Sequence, residues 1–431
     1  MKKILVRGPV LSRSGYGEQA RFALRCLRAH EDRFDIYIWA VGWGATGYLY
    51  EDTEEKRWID SILDKTTAYN QSGGQYDISL QVTIPNEWER LAPVNVGYTA
   101  GIETTRIAPI WIEKSIIMDK IITTSNHAKE GFDNTSYEAK NEQTGQIIKD
   151  FKSTTPIESV NYAYRHVEPD NIDLELDYDF NFLAISQWSP RKNMENMVKW
   201  FYEEFAHDEV GLILKISLRN NSVIDRFQTY ARFNEFAQAT RERYKDPKCK
   251  IYLLHGDMKE EEMTALYLHP KVKALINLAH GEGFGLPLFE AAYNSLPVIC
   301  PAWGGQKDFL YMPVKDKKNK NKVKNTAMFA TVDYAIQQVQ PEAAWDLGER
   351  GPVLIAESSW CFPHEGNYKS TIRDVYKNHG QYISKAKKLK KHIVKEFAEE
   401  KQYKKFADAV HTPEEHELED WVANLNVEEH N

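Results

Sequence analysis

The spacing of apolar runs constrains this chain more than any other feature. Short segments, each about one strand long, recur from the start to about residue 300, with amphipathic stretches between them. Segments that short do not make buried helices. Their near-continuous apolar character is that of strands covered on both faces. The first series comprises residues 3–6, 35–40, 77–82, 94–98, 120–124 and 160–163. The second comprises 180–185, 211–216, 251–254, 274–277 and 297–300. Strands alternating with helices predict parallel sheets, and two such series predict an α/β chain of two doubly wound, Rossmann-like domains. A chain of 431 residues is long enough to bury both cores.

Between the series, residues 165–179 are polar and acidic, contain Pro169 and lack any period, which marks a linker. The expected organisation is therefore one domain over residues 1–172, a second over 173–375, and C-terminal helices over 376–431. Those helices are expected to pack back toward the N-terminal domain and to end in an acidic tail. Tyr382, Ala386, Leu389, Ile393 and Phe397, at three- and four-residue spacing, form their apolar face.

Charge narrows the partners. Lys and Arg total 55 against 63 Asp and Glu, for a net charge of -8, so a polyanion could be held only by a local patch. The lysine run KDKKNKNKVK, bounded by Lys315 and Lys324, is one such patch: either a solvated loop or a contact for a polyanionic acceptor or an acidic membrane surface. Lys385, Lys387, Lys388, Lys390 and Lys391 admit the same pair of readings. Cys26, Cys249, Cys300 and Cys361 form no C-x-x-C pair and are too scattered for a disulfide framework, which fits a reducing compartment. No run approaches the roughly 18 apolar residues of a membrane span, and the three apolar residues after Lys3 are too few for a signal peptide. The expectation is a cytoplasmic protein, peripheral to a membrane at most.

The chemistry concentrates in residues 278–310, LAHGEGFGLPLFEAAYNSLPVICPAWGGQKDFL. An apolar strand runs into a loop with Gly281, Gly283 and Gly285, and a helix opens with Pro287 in its first turn. A helix N-terminus offers free N–H groups and the positive end of a dipole, which suit a phosphate or a sugar hydroxyl. Glycines let the backbone approach the ligand closely. Glu282 in the loop and Glu290 in the helix can then reach different ends of one ligand, an arrangement better suited to polyol hydroxyls than to a metal.

Glu282 and Glu290, in EGFGLPLFE, resemble the E-x7-E motif of retaining glycosyltransferases of the GT-B fold, family-4 type. The similarity extends to FLAISQWSPRKN with Arg191 and Lys192, to YLLHGDMKEEEM, to PAWGGQKDF with Gly304, Gly305 and Asp308, and to residues 97–132. It implies that the two domains face each other across a cleft, residues 1–172 binding the acceptor and residues 173–375 the nucleotide sugar. By the same resemblance Glu290 holds the ribose hydroxyls of a donor nucleotide, Glu282 contacts the transferred sugar, and Gly283, Phe284 and Gly285 line the donor. It also implies that Arg191 and Lys192 neutralise the diphosphate, so that no metal or other cofactor is needed. The last role follows from charge as well, because the leaving diphosphate gains negative charge as the glycosidic bond breaks. Retention would then proceed without an enzymic nucleophile.

In GPVLSRSGYGEQARFAL, Gly15 and Gly17 could bring backbone N–H groups to the diphosphate from the other domain. Gly15-x-Gly17-x-x-Ala20 also matches a dinucleotide fingerprint, although a true one begins directly at the strand end. Many relatives carry a histidine near the donor sugar, and the matching stretch LQVTIPNEW has none. Asn86, Glu87 and Glu103 are the substitutes on the acceptor side. His280 reads equally as a loop residue or a ligand contact, and Trp360 as packing. Two rival functions remain from the residues alone: a virus-type glycosyltransferase acting on a DNA base hydroxyl, and a non-catalytic nucleotide- or carbohydrate-binding module.

Overall fold

The computed structural model describes residues 1–141, 143–245, 247–316, 322–412 and 414–415. Its frame is two six-stranded parallel sheets. The first contains β1 (Lys2–Gly8), β2 (Phe34–Ala40), β3 (Ile78–Val82), β4 (Val94–Thr99), β5 (Lys120–Thr123) and β6 (Ile157–Ser159), in the order β6-β5-β4-β3-β1-β2. The second contains β7 (Asn181–Gln187), β8 (Gly211–Ser217), β9 (Lys250–Leu254), β10 (Val272–Ile276), β11 (Val298–Pro301) and β12 (Ala330–Val332), in the order β9-β8-β7-β10-β11-β12. The apolar runs become strands because helices cover both faces: Ile4, Val6, Leu80, Val96, Leu183, Ile213 and Leu275 are buried almost completely.

Several segments depart from expectation. The strand expected over residues 160–163 lies three residues earlier, at Ile157–Ser159. Val160 and Tyr162 are apolar because they enter the core as the chain leaves the sheet, where Tyr162 packs on Phe22 and Phe284 at 5.0 and 4.9 Å. β12 and the antiparallel hairpin Tyr334–Gln338/Ser359–Pro363 were not anticipated, since three-residue and half-exposed strands leave little periodic signal.

That hairpin and the loop it encloses, residues 339–358, lie against the N-terminal sheet. Val339, Val353, Leu354 and Trp360 share a core with Trp88, Trp111, Ile107 and Ile112. Thr105 N donates to Ser359 O at 2.8 Å, and Ser359 N donates to Thr105 Oγ1 at 3.0 Å. Residues 164–176, between the sheets, carry no regular element.

After the hairpin, the Glu365–Lys377 helix packs on the Met194–Phe205 helix, with Trp200 and Tyr368 at 5.9 Å. The His379–Glu396 helix covers the Leu286–Tyr293 helix and buries Ala386, Leu389 and Ile393. The Glu399–Val410 helix then crosses to the N-terminal sheet, where Phe406 meets Phe22 and Tyr98 at 5.7 and 4.9 Å. Arg33 pairs with Asp408 at 2.8 Å beside it. Phe406 is fully buried in this seam, so Phe406→Ala should lower stability by about 3–5 kcal/mol in urea denaturation, and a loss under about 1 kcal/mol would show that this helix does not hold the domains together.

Candidate active site

The glycine loop joins β10 to the Leu286–Tyr293 helix, at the carboxyl edge where doubly wound sheets bind ligands. Its glycines are required by crowding. A Cβ on Gly281 would lie 2.6 Å from Glu103 O, and one on Gly283 would lie 2.7 Å from Ala100 O. Those carbonyls belong to the N-terminal domain, so the two domains touch backbone to backbone here. A Cβ on Gly305 would lie 2.0 Å from Gly283 O, and Gly304 (φ 109°) and Gly285 (φ 93°) occupy the positive-φ region that favours glycine. Gly305 N donates to Glu282 O at 2.8 Å, and Ser125 Oγ of the N-terminal domain donates to Gly283 O at 2.5 Å.

Arg191 and Lys192 reach this loop from the turn Pro190–Lys192 after β7, and Asn193 at φ 51° swings the chain into the next helix. The left-handed region is one that asparagine tolerates better than most residues. His280 N donates to Arg191 O at 2.8 Å and Asn193 Nδ2 to Leu278 O at 3.2 Å, tying the loops together. Lys192 Nζ lies 2.6 Å from Glu282 Oε1, Asn277 Nδ2 donates to the same oxygen at 2.8 Å, and Arg191 reaches Oε2 at 3.3 Å. Arg191 also donates to Gly281 O at 2.7 Å and pairs with Glu103 at 3.0 Å. The cluster is thus two cations and two carboxylates spanning both domains.

Burial alone would raise the Glu282 pKa, but Lys192 and then Arg191 outweigh it and hold the carboxyl at about 2. For Lys192, burial and the neighbouring Arg191 charge lower the pKa despite Glu282. Burial opposes the Arg191 charge, yet Glu103 and Glu282 raise its pKa.

Glu290 stands apart from that cluster. It is open to solvent and accepts a hydrogen bond from Tyr267 at 2.7 Å. Partial loss of bulk water in the cleft pushes its pKa up to about 7; Tyr267 opposes the rise, while the charges of Glu18 and Glu260 add to it. Glu18 and Arg165 act on it from across the cleft.

Other expected residues are placed differently. Gly15 opens the Gly15–Arg28 helix with nothing near a Cβ there, and Tyr16 beside it shares a 2.8 Å hydrogen bond with Thr99, so this helix start adjoins the site. The Gly17 N–H is taken by Ser14 Oγ at 3.0 Å, and a Cβ at Gly17 would meet Ser12 O at 1.9 Å, so its need for glycine arises within its own loop. Phe284 turns its ring into the core against Phe289 and Phe309, leaving only its backbone to the loop.

Asn86, expected on the acceptor side, lies in the seam between the domains. It donates to Arg350 O, Gly351 O and Pro352 O and accepts from Trp111 at 2.6 Å, which occupies its amide within the domain seam. Glu87 likewise pairs with Arg350 at 3.1 Å. His280 is a buried loop residue, bonded to Cys361 O at 2.7 Å and stacked on Trp360 at 4.9 Å; Trp360 itself is packing. Of the lysine run, residues 317–321 lie outside the described residues.

Sequence reading missed Asn277, Ser125 and Tyr267, and did not place Asp308 opposite Asn126 N and Asn161 Nδ2, at 2.8 and 2.9 Å. Asn277, a polar residue ending a buried strand, was the one legible signal. Among the described residues no three His, Cys, Asp or Glu side chains gather as a metal site, and no helix is long and apolar enough to cross a membrane.

No protein-family model and no curated protein matches the chain. Solved structures of the same architecture do. Sucrose-phosphate synthase from Thermosynechococcus elongatus aligns with a TM-score of 0.59 at 10% identity, over 98% of this chain and 100% of that one. HepE from Anabaena, in complex with UDP and glucose, aligns at 0.54 and 11%, over 99% and 100%. A glycosyltransferase from Rickettsia africae aligns at 0.54 and 14%, over 95% and 99%. The chain has the GT-B fold.

The crowding at Gly305 sets a test. Gly305→Ala should lower the melting temperature by several degrees, whereas Gly380→Ala, a helix position with open space, should leave it unchanged or raise it. Equal behaviour of the two in thermal unfolding would contradict the backbone contact described.

Proposed function

We propose that this protein is a glycosyltransferase that moves a hexose-type sugar from a nucleotide-diphosphate sugar to a hydroxyl acceptor, with retention of configuration and without a resident metal. The observation that carries this reading is the convergence of Arg191 and Lys192 on a glycine loop whose following helix presents Glu290 to the cleft. Neighbours of the same fold support it, since one is held with UDP and glucose and another, a trehalose-6-phosphate enzyme from E. coli, with UDP-2-fluoro glucose.

In this reading the two cations exchange their carboxylate partners for the donor diphosphate. The acceptor oxygen attacks the anomeric carbon on the face the diphosphate leaves. The C–O bond to phosphate breaks with its electron pair going to the diphosphate, and a donor oxygen takes the acceptor proton. Arg191 and Lys192, already oriented in a water-poor site, stabilise the charge most where it is fully developed. Glu290 accepts the ribose hydroxyls, and Glu282, once released by its cations, faces the sugar. Glu103 stands on the N-terminal side of the same cluster, and in this reading it faces the acceptor.

A thermal-shift panel of UDP-, GDP- and ADP-sugars tests donor binding, because a ligand of the folded state raises the melting point with concentration over Kd. At least one donor should shift it, and Glu290→Ala should abolish the shift. Arg191→Ala should lower kcat by about 100-fold or more with the best donor, and an unchanged kcat would remove the cationic role.

The pKa of Glu290 gives a pH signature. Raised to about 7, this carboxyl is protonated below that pH and ionised above it, so donor affinity should strengthen as pH rises through about 7. Titration calorimetry should find that dependence in the natural sequence and a flat profile in Glu290→Gln. A pH dependence retained in the variant would assign it to another group.

A further inference from the structure

The Val223–Tyr244 helix leaves large apolar side chains on its solvent side. Val223, Ile224, Phe227 and Tyr230 are 56–71% exposed. At 100° per residue they span an arc of about 120°, opposite Asp225, Thr229, Phe233 and Ala237, which the helix buries. Four such residues in two turns make a contiguous patch, unlike the scattered exposure ordinary in soluble surfaces.

The patch continues across the domain boundary. Asn220, at the foot of the helix, donates to Ala45 O at 3.0 Å, and Tyr48 and Tyr50 of that N-terminal segment are 59% and 68% exposed. Arg13 lies 5.2 Å from the Tyr50 ring and pairs with Asp257, which Asn221 also contacts.

The charges around this surface are unevenly matched. Arg219 and Arg226 are exposed and have no ion-pair partner among the described residues. The acidic side chains of residues 51–55 are all paired: Glu51 with Arg13, Asp52 with Arg57, Glu54 with Arg28 and Glu55 with Arg25. A twofold contact with a second copy would set these arginines near their own equivalents, and a purely apolar partner would bury them without an anion. An anionic bilayer satisfies every part: hydrocarbon for Val223, Ile224 and Phe227, the interfacial zone for the three tyrosines, and phosphates for the arginines.

We infer that this two-domain face docks on an anionic lipid bilayer. The inference stands independently of the transfer reaction. The segments that carry it follow the carboxyl ends of β2 and β8, the edge that also carries the glycine loop.

The test is co-sedimentation of the full chain with vesicles of phosphatidylcholine alone or mixed with phosphatidylglycerol. The chain should bind the mixed vesicles, less strongly as salt rises. Ile224→Ser/Phe227→Ser and Arg219→Ser/Arg226→Ser should each weaken that binding about tenfold, with melting temperature unchanged because the side chains are exposed. No binding to anionic vesicles, or variants that sediment like the parent, would overturn the inference. So would a concentration-dependent dimer lost in the same variants, which would give the face to a second copy. Donor-induced thermal shifts, measured separately, report on the transfer reading and not on docking.

Discussion

The close backbone contact at the glycine loop is the constraint on which the rest of the site depends. Gly281 and Gly283 meet the carbonyls of Glu103 and Ala100 at distances no Cβ could occupy, and Gly305 meets Gly283 from the other side. Three chain segments from two domains are thereby stacked without side chains between them. Only because they are so close can Arg191, on one domain, pair with Glu103 on the other while holding Glu282. Removing water from that cluster is costly, and its four charges offset the penalty by pairing with one another.

The same proximity separates the two loop-and-helix glutamates into different chemical roles. Glu282, itself buried, is locked as an anion by two half-buried cations. Glu290, eight positions further along the chain, faces the cleft, where loss of bulk water and then the charges of Glu18 and Glu260 raise its pKa to about 7. A ligand that brings negative charge to Arg191 and Lys192 and hydroxyls to Glu290 would relieve both environments at once, which is the physical basis for reading the cleft as a sugar-nucleotide site.

Domain placement rests on two apolar seams rather than on the site itself. One is made by Phe406 against Phe22 and Tyr98, the other by residues 339–360 against Trp88 and Trp111. Aromatic side chains bury large areas, on the order of 150–250 Å² each, so these contacts can hold two sheets in register where a polar cleft could not. The second seam also occupies Asn86 and Glu87: residues 350–352 take their hydrogen bonds and ion pair.

The sequence by itself determined the two sheets, apart from β12 and the exact place of β6, and the chemical types at the loop. Strand spacing, the glycines of residues 281–285, Glu282, Glu290 and the Arg191–Lys192 pair were all legible, because each depends on local periodicity or on a residue type needed at one place. Only tertiary structure decided which partners those residues have. Glu103 on Arg191, Tyr267 on Glu290, Ser125 on the Gly283 carbonyl and the occupation of Asn86 all join residues far apart in the chain. Periodicity carries no information about such pairs, since a side chain's hydrogen bonds are set by what folding brings opposite it and not by its neighbours along the backbone.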